Sequence, residues 1–197
     1  MSIVKHIDLN HDILSNKFLI STPYINLNGI FHQSLIYVVI HNSKGAVGLI
    51  LNHLMHKVAP NDLFKIFHTN NEPGNDQRNI SVHLGGPMES ERGLVLHSSD
   101  YDKNLLLKLN ENMSISSNTE ILKDIAAGKG PYRSLLAMGY TGWKQGQLEE
   151  ELEKNFWIVS KADSNTIFNV SDDLKWQTAL NLAGIKSASM FSQYIAK

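Results

Sequence analysis

The chain has no cysteine among its 197 residues. That absence removes thiol catalysis, iron–sulfur ligation, thiolate zinc sites and any disulfide framework. Charge is also in short supply: charged residues make up 19%, and the formal net charge is -1 with a pI near 6.8. Long-range attraction to phosphate backbones or anionic lipid therefore has little support. Lys161, Lys175 and Lys186 stand alone, and no basic run reads as a nucleic-acid patch. The longest apolar run, "LIYVVI" at 35–40, is far too short for a bilayer. The opening "MSIVKHIDLNHDIL" places acids and histidines where a signal peptide needs an uninterrupted apolar stretch. A cytoplasmic location without membrane association is the expectation.

Several signatures of chemistry are missing as well. There is no G-x-x-x-x-G-K-[ST], no G-x-G-x-x-G leading from a strand into a helix, no H-E-x-x-H and no G-x-S-x-G. Nine histidines invite a metal reading, and "HLMH" sets His53 and His56 three apart, within reach of one helical turn. Nearby hard ligands are few, so incidental histidines are favoured over a metal site. No metal, no cofactor and no catalytic residue is assigned.

What is present is one sizeable core. Hydrophobic residues make up 42%, with no internal repeat and no linker between two cores. "KFLIS" reads as a short strand. "QSLIYVVIHNSKGAVGLILN" is the clearest hairpin, two Ile- and Val-rich runs about a turn containing Asn42 and Gly45. Ala46 and Gly48 suggest the close approach of another element. "PNDLFKIFH" reads as a short helix and "TNNEPGNDQRN" as an exposed loop. "ISVHL", "GLVLH", "NMSIS", "YRSLLAMGY", "NFWIVS" and "TIFNV" read as strands. Ser117 with Glu120 suits a capping box, with Gly128 ending that helix. Two further helices are expected: "GQLEEELEKNFW", and "DDLKWQTALNLAG" capped by Ser171.

Two stretches carry candidate sites. In "HLGGPMESERGLVLH", residues 83–97, Gly85 and Gly86 meet a proline, and Arg92 and His97 follow. A structural turn is favoured over a phosphate cradle, since the segment returns to a strand rather than entering a helix. The turn is expected to set the strand carrying His97 beside "ISVHL". Arg92, a carboxylate or phosphate clamp, and His97, an acid or base, would then share a concavity. The alternatives are an ion pair of Arg92 with Glu89 or Glu91, and a satisfied histidine at a strand end. In "GYTGWKQGQLEEEL", Trp143 and Gln147 form either a recognition patch at a helix start or a packed indole with an amide serving the backbone.

In this order, "HNSKGAVGLILN", "GGP" with "RGLVLH", and "MGYTGWKQGQLEEEL...NFWIV" resemble the AlgH/YqgE family of bacterial proteins. The resemblance runs from about Phe18 to Gly184. It pairs Asn52, Gly85, Gly86, Pro87, Arg92 and His97 with the family pattern, then Tyr140, Trp143, Gly146, Gln147, Leu148, Glu149 and Trp157. Two stretches depart from it. A basic residue and a proline often follow the asparagine where this chain has "HLMH", and "SASMFSQYIAK" replaces a glycine-histidine-alanine ending.

The resemblance implies an α+β single domain, its bifurcated, mostly antiparallel sheet curled into a pseudo-barrel with flanking helices. Residues 1–16 would form an arm, 17–185 the domain and 186–197 a tail. It implies no established enzymatic activity. The functional expectation is a cytoplasmic regulatory or accessory protein that binds a small ligand or a protein partner. Its candidate ligand-binding residues are Asn52, Gly85, Gly86, Arg92, His97, Trp143 and Gln147. Two alternatives stand beside it. One is an enzyme of unknown reaction using His97 and Arg92. The other is a transcriptional regulator, disfavoured because no helix-turn-helix pattern or basic surface supports specific nucleic-acid binding.

Overall fold

The computed structural model describes residues 13–25, 29–58 and 80–186. The expected helix and exposed loop between 60 and 79 lie outside them, as do most of the N-terminal arm and the tail. Residues 13–16 are attached: the Asn16 amide donates to the Val38 carbonyl at 2.9 Å, and its side chain reaches the Leu109 carbonyl.

Strand β1 (Lys17–Ser21) pairs with β2 (Leu35–Asn42), which forms the expected hairpin with β3 (Gly45–Ile50). Strand β2 is buried on both faces because its apolar residues are continuous. Leu35, Tyr37 and Val39 join one core cluster, whereas Ile36 and Val38 join another. A period of two sends neighbours to opposite faces. The remaining strands are β4 (Leu54–Val58), β5 (Ile80–Leu84), β6 (Met88–Ser98), β7 (Leu107–Lys108), β8 (Met113–Ser116), β9 (Ser134–Lys144) and β10 (Trp157–Lys161). The order β10-β1-β2-β3-β9-β6-β8-β7 makes a curled, mostly antiparallel half-barrel, and β4 and β5 branch from it. Four helices flank it among the described residues: α1 (Thr119–Ala126), α2 (Gln147–Glu153), α3 (Ser164–Phe168) and α4 (Asp172–Leu182). The single α+β domain with a bifurcated, curled, mostly antiparallel sheet that the resemblance implies is what the chain forms.

The branch lies on β9. Its C-terminal half, from Thr141 to Lys144, pairs with β3, and Leu136 to Met138 pair with β5 in parallel. Strand β6 runs along the opposite edge. Strand β9 therefore separates β6 from β5, and the Gly85-Gly86-Pro87 turn does not set those two strands side by side. Instead, Gly85 stands in the fork. Its amide donates to Met138 on β9, while its carbonyl accepts from Ile50 at the end of β3. A Cβ on Gly85 would lie 2.3 Å from the Gly139 carbonyl oxygen, and one on Gly86 would lie 2.2 Å from the Tyr140 carbonyl carbon. Close backbone approach accounts for the glycine pair.

Several local readings change, among them the cap of α4, where Ser171 holds the N-cap position without a side-chain bond. "TIFNV" is not a strand: the Asp163 carboxylate accepts from the Thr166 amide at 2.9 Å and its hydroxyl at 2.6 Å, starting α3 there. A strong cap outweighs β-branched propensity over so short a stretch. Helix α1 starts one residue later than the capping box required. Asn118, not Ser117, accepts from the Ile121 amide, which places Glu120 one position too early to close the box. Finally, "HLMH" leads into strand β4 rather than a helix. His53 lies just before that strand and His56 within it, so the spacing of one helical turn does not apply.

Candidate functional site

The structure scatters the sequence candidates. Arg92 donates to Glu89 at 3.0 Å on the exposed N-terminal part of β6, and Tyr140 donates to the same carboxylate. His97 is fully buried five positions further along. Its Nδ1–H donates to the Ser98 carbonyl at 2.9 Å, its Nε2 accepts from the Ser116 hydroxyl at 3.0 Å, and its ring meets Tyr101 edge-on. Burial pushes this imidazole below the ordinary histidine range. Neither ring nitrogen is spare. Gly85 and Gly86 sit in the fork described above.

Trp143 and Gln147 come together around Glu151, which is not among the sequence candidates. Glu151 Oε2 accepts from the indole N–H of Trp143 at 2.8 Å and of Trp157 at 2.7 Å, and its Oε1 accepts from Gln147 at 3.0 Å. Gln147 Oε1 takes the Lys144 amide. The indoles pack edge-to-face and cover one side of the sheet with Leu148. Each polar atom answers a neighbour, so the patch works as a clamp holding α2. Glu151→Ala should cost about 2–3 kcal/mol by orphaning buried donors and should red-shift tryptophan emission. Glu151→Gln, which keeps an acceptor oxygen, should cost less. Urea unfolding followed by fluorescence measures both.

A cavity of about 660 Å³ opens elsewhere, between the β4–β5 branch and the α3–α4 corner. Asn52, Ser81, His83 and Ser134 line its sheet side, and Asn169, Ser171, Asp172, Asp173 and Lys175 its helical side. Leu54, Leu135, Ile167, Phe168 and Val170 supply apolar wall. Asn52 belongs here, the one sequence candidate that does. Its side chain accepts from the Leu35 amide and donates to the Gln33 carbonyl, both at 2.8 Å, and so fixes the cavity's edge.

At the centre stand three ionisable groups. Residues 172 and 175 share a helix face by their spacing of three, and that face bonds to His83 of β5 and to the Leu51 carbonyl just after β3. Lys175, 3% exposed, donates to Asp172 Oδ1 at 2.7 Å and to the Leu51 carbonyl at 3.0 Å. His83, 2% exposed, donates from Nε2 to the same Oδ1 at 2.9 Å. Burial alone would raise the Asp172 carboxyl, but His83 and Lys175 overcome it and bring it down to about 2. Burial also lowers Lys175, against the pull of Asp172. The ionised carboxylate beside it maintains the ammonium form. An ionised Asp172 also fixes the imidazole tautomer, with the proton on Nε2. His83 Nδ1 is buried without a hydrogen-bond partner.

Lys175 left a trace in the sequence. It lies four residues before Ala179 on the apolar stripe of α4, where a lysine needs a partner. His83 left none, because a histidine near the end of "ISVHL" resembles any alternating polar position.

The whole domain has relatives. The AlgH-like family profile matches residues 18–188. A UPF0301 protein of Rickettsia canadensis is 48% identical over 180 residues, covering 91% of this chain and 94% of its own. Its counterpart in Rickettsia prowazekii is 47% identical with the same coverage. The solution structure of AlgH from Pseudomonas aeruginosa superposes with a TM-score of 0.75 at 32% identity, over 95% of this chain and 96% of that one. Protein DIP2367 of Corynebacterium diphtheriae shares the fold, with a TM-score of 0.64 at 18% identity over 87% of each chain.

Proposed function

This chain belongs to the AlgH-like family, and from that premise we propose that it is a cytoplasmic regulatory or accessory protein whose task is to bind a small molecule in the cavity between the β4–β5 branch and α4. One observation carries the reading: Asp172 spends Oδ1 on both His83 and Lys175 and keeps Oδ2 unpartnered among the described residues at the cavity. A buried ion pair is seldom a gain over an apolar pair of similar size, so stability gives little reason for it. Ionisable groups held in a concavity of about 660 Å³ suit recognition, since small-molecule sites commonly have such a volume. Among the described residues, no helix is long and apolar enough to cross a membrane.

A thermal-shift screen of the full chain against metabolites tests the proposal, because a ligand of the folded state alone must raise Tm. A hit should lose its effect in Asn169→Trp, which puts a large ring at the cavity from an exposed position. A hit that stabilises wild type and Asn169→Trp equally would place binding elsewhere and defeat the proposal.

A further inference from the structure

We infer that the ligand enters this cavity with a neutral, flat heteroaromatic edge bearing an acceptor beside a donor, as on the nucleobase of a nucleoside. The inference rests on the ligand-binding reading above and narrows it to a chemical class.

Charge eliminates the obvious rival. The start of an 11-residue helix borders the cavity, a setting that ordinarily favours anions. Here the first turn carries Asp172 and Asp173, so the helix end is already compensated. The cavity's ammonium, Lys175, is neutralised by Asp172 at 2.7 Å, and Asp173 adds a carboxylate with no partner among the described residues. An incoming phosphate or carboxylate would meet two acids, while both basic residues, His83 and Lys175, are already engaged by Asp172. A free ammonium ligand fares poorly too, since it must approach Lys175 to reach Asp172 Oδ2.

Hydrogen bonding then specifies the edge. A lysine ammonium has three donors. The Leu51 carbonyl and Asp172 Oδ1 take two, leaving one for a ligand acceptor. Asp172 Oδ2, on the same carboxylate, accepts from a ligand donor. Donor and acceptor thus stand side by side, complementary to an amide- or amidine-like edge and to neither ion alone. Phe168 and Leu54, the latter 42% exposed, offer apolar surface for a ring. Ser81 and Ser134 carry hydroxyls without partners among the described residues, suited to the hydroxyls of a sugar.

The test is a titration of the isotope-labelled full chain by NMR with adenosine and cytidine, beside AMP, inorganic phosphate and spermidine. At least one nucleoside should shift the amides around His83 and Asp172 saturably, and Asn169→Trp should abolish this. AMP should bind about tenfold more weakly than adenosine, because its phosphate meets a like charge. Asp173→Asn should narrow that gap to about threefold by removing the charge. Binding of phosphate or spermidine at the cavity without nucleosides would overturn the class while leaving a ligand site there. Nucleoside shifts that survive Asn169→Trp, or no nucleoside binding at millimolar concentration, would overturn the inference outright.

Discussion

Asp172→Ala should lower the unfolding free energy by about 3 kcal/mol at neutral pH, one of the two largest losses expected for a single substitution here. The substitution removes few contacts, but it leaves the Lys175 ammonium buried with only a backbone carbonyl. The second half of the expectation separates this cause from generic damage. Adding Lys175→Met should restore most of the loss, because an apolar side chain of similar length needs no counter-charge. Urea unfolding of the two single variants and the double variant closes the cycle, and a double variant no better than Asp172→Ala would refute it. The same carboxylate gives the protein an acid limb. Folded Asp172 titrates at about 2 against an ordinary value of 3.8. Its stabilisation is therefore complete above about pH 4 and vanishes as pH falls through 2, a contribution of about 2 kcal/mol. Asp172→Ala should flatten that limb of the stability profile.

Gly86→Val should be as damaging, with a loss of about 3 kcal/mol or more and a fall in Tm of roughly 6–12 °C. Its Cβ would lie 2.2 Å from the Tyr140 carbonyl carbon and 2.4 Å from the Thr141 nitrogen. Those atoms belong to β9, which is bonded on both edges and has no room to retreat. Gly146→Ala supplies the contrast. Gly146 has a φ of +76° but nothing within 4 Å of an added Cβ, so only backbone strain of about 1 kcal/mol is at stake. Thermal unfolding of both variants tests the reading, and equal losses would mean that crowding at the fork contributes nothing.

The β2–β3 hairpin was legible because everything it needs is local: two continuous apolar runs and a turn whose Asn42 side chain caps the Lys44 amide. The first part of strand β9, up to Tyr140, and the apolar face of α4 were legible for the same reason, whereas residues 141–144 read as the approach to a helix. The fork was implied by resemblance alone. The parallel pairing of Val82 with Leu136 joins residues far apart in sequence and leaves no signature in either strand. The placing of the site residues was less legible. Arg92 and His97 were chosen by chemical type, yet type does not report direction or depth. The β6–β9 ladder is interrupted between Met88 and Gly93, so Arg92 reaches solvent and His97 is sealed inside. The cavity trio needs residues from β5 and α4, and its only trace in the sequence is the spacing of Lys175 from Ala179, which reading Lys175 as a lone basic residue did not use.

Strand β9 also imposes an order on synthesis. Residues 134–144 bond to β3, β5 and β6, all of which leave the ribosome earlier. Until β9 arrives, the β2–β3 and β4–β5 pairs each hold an open edge that invites a neighbouring chain. Strand β1 waits longer still for β10, at residues 157–161. A nascent chain of this protein thus holds unjoined strand pairs until residue 144 has been made, and a single late strand converts them into a domain. Ribosomes stalled just before and just after β9 clears the exit tunnel would carry chains of very different protease resistance.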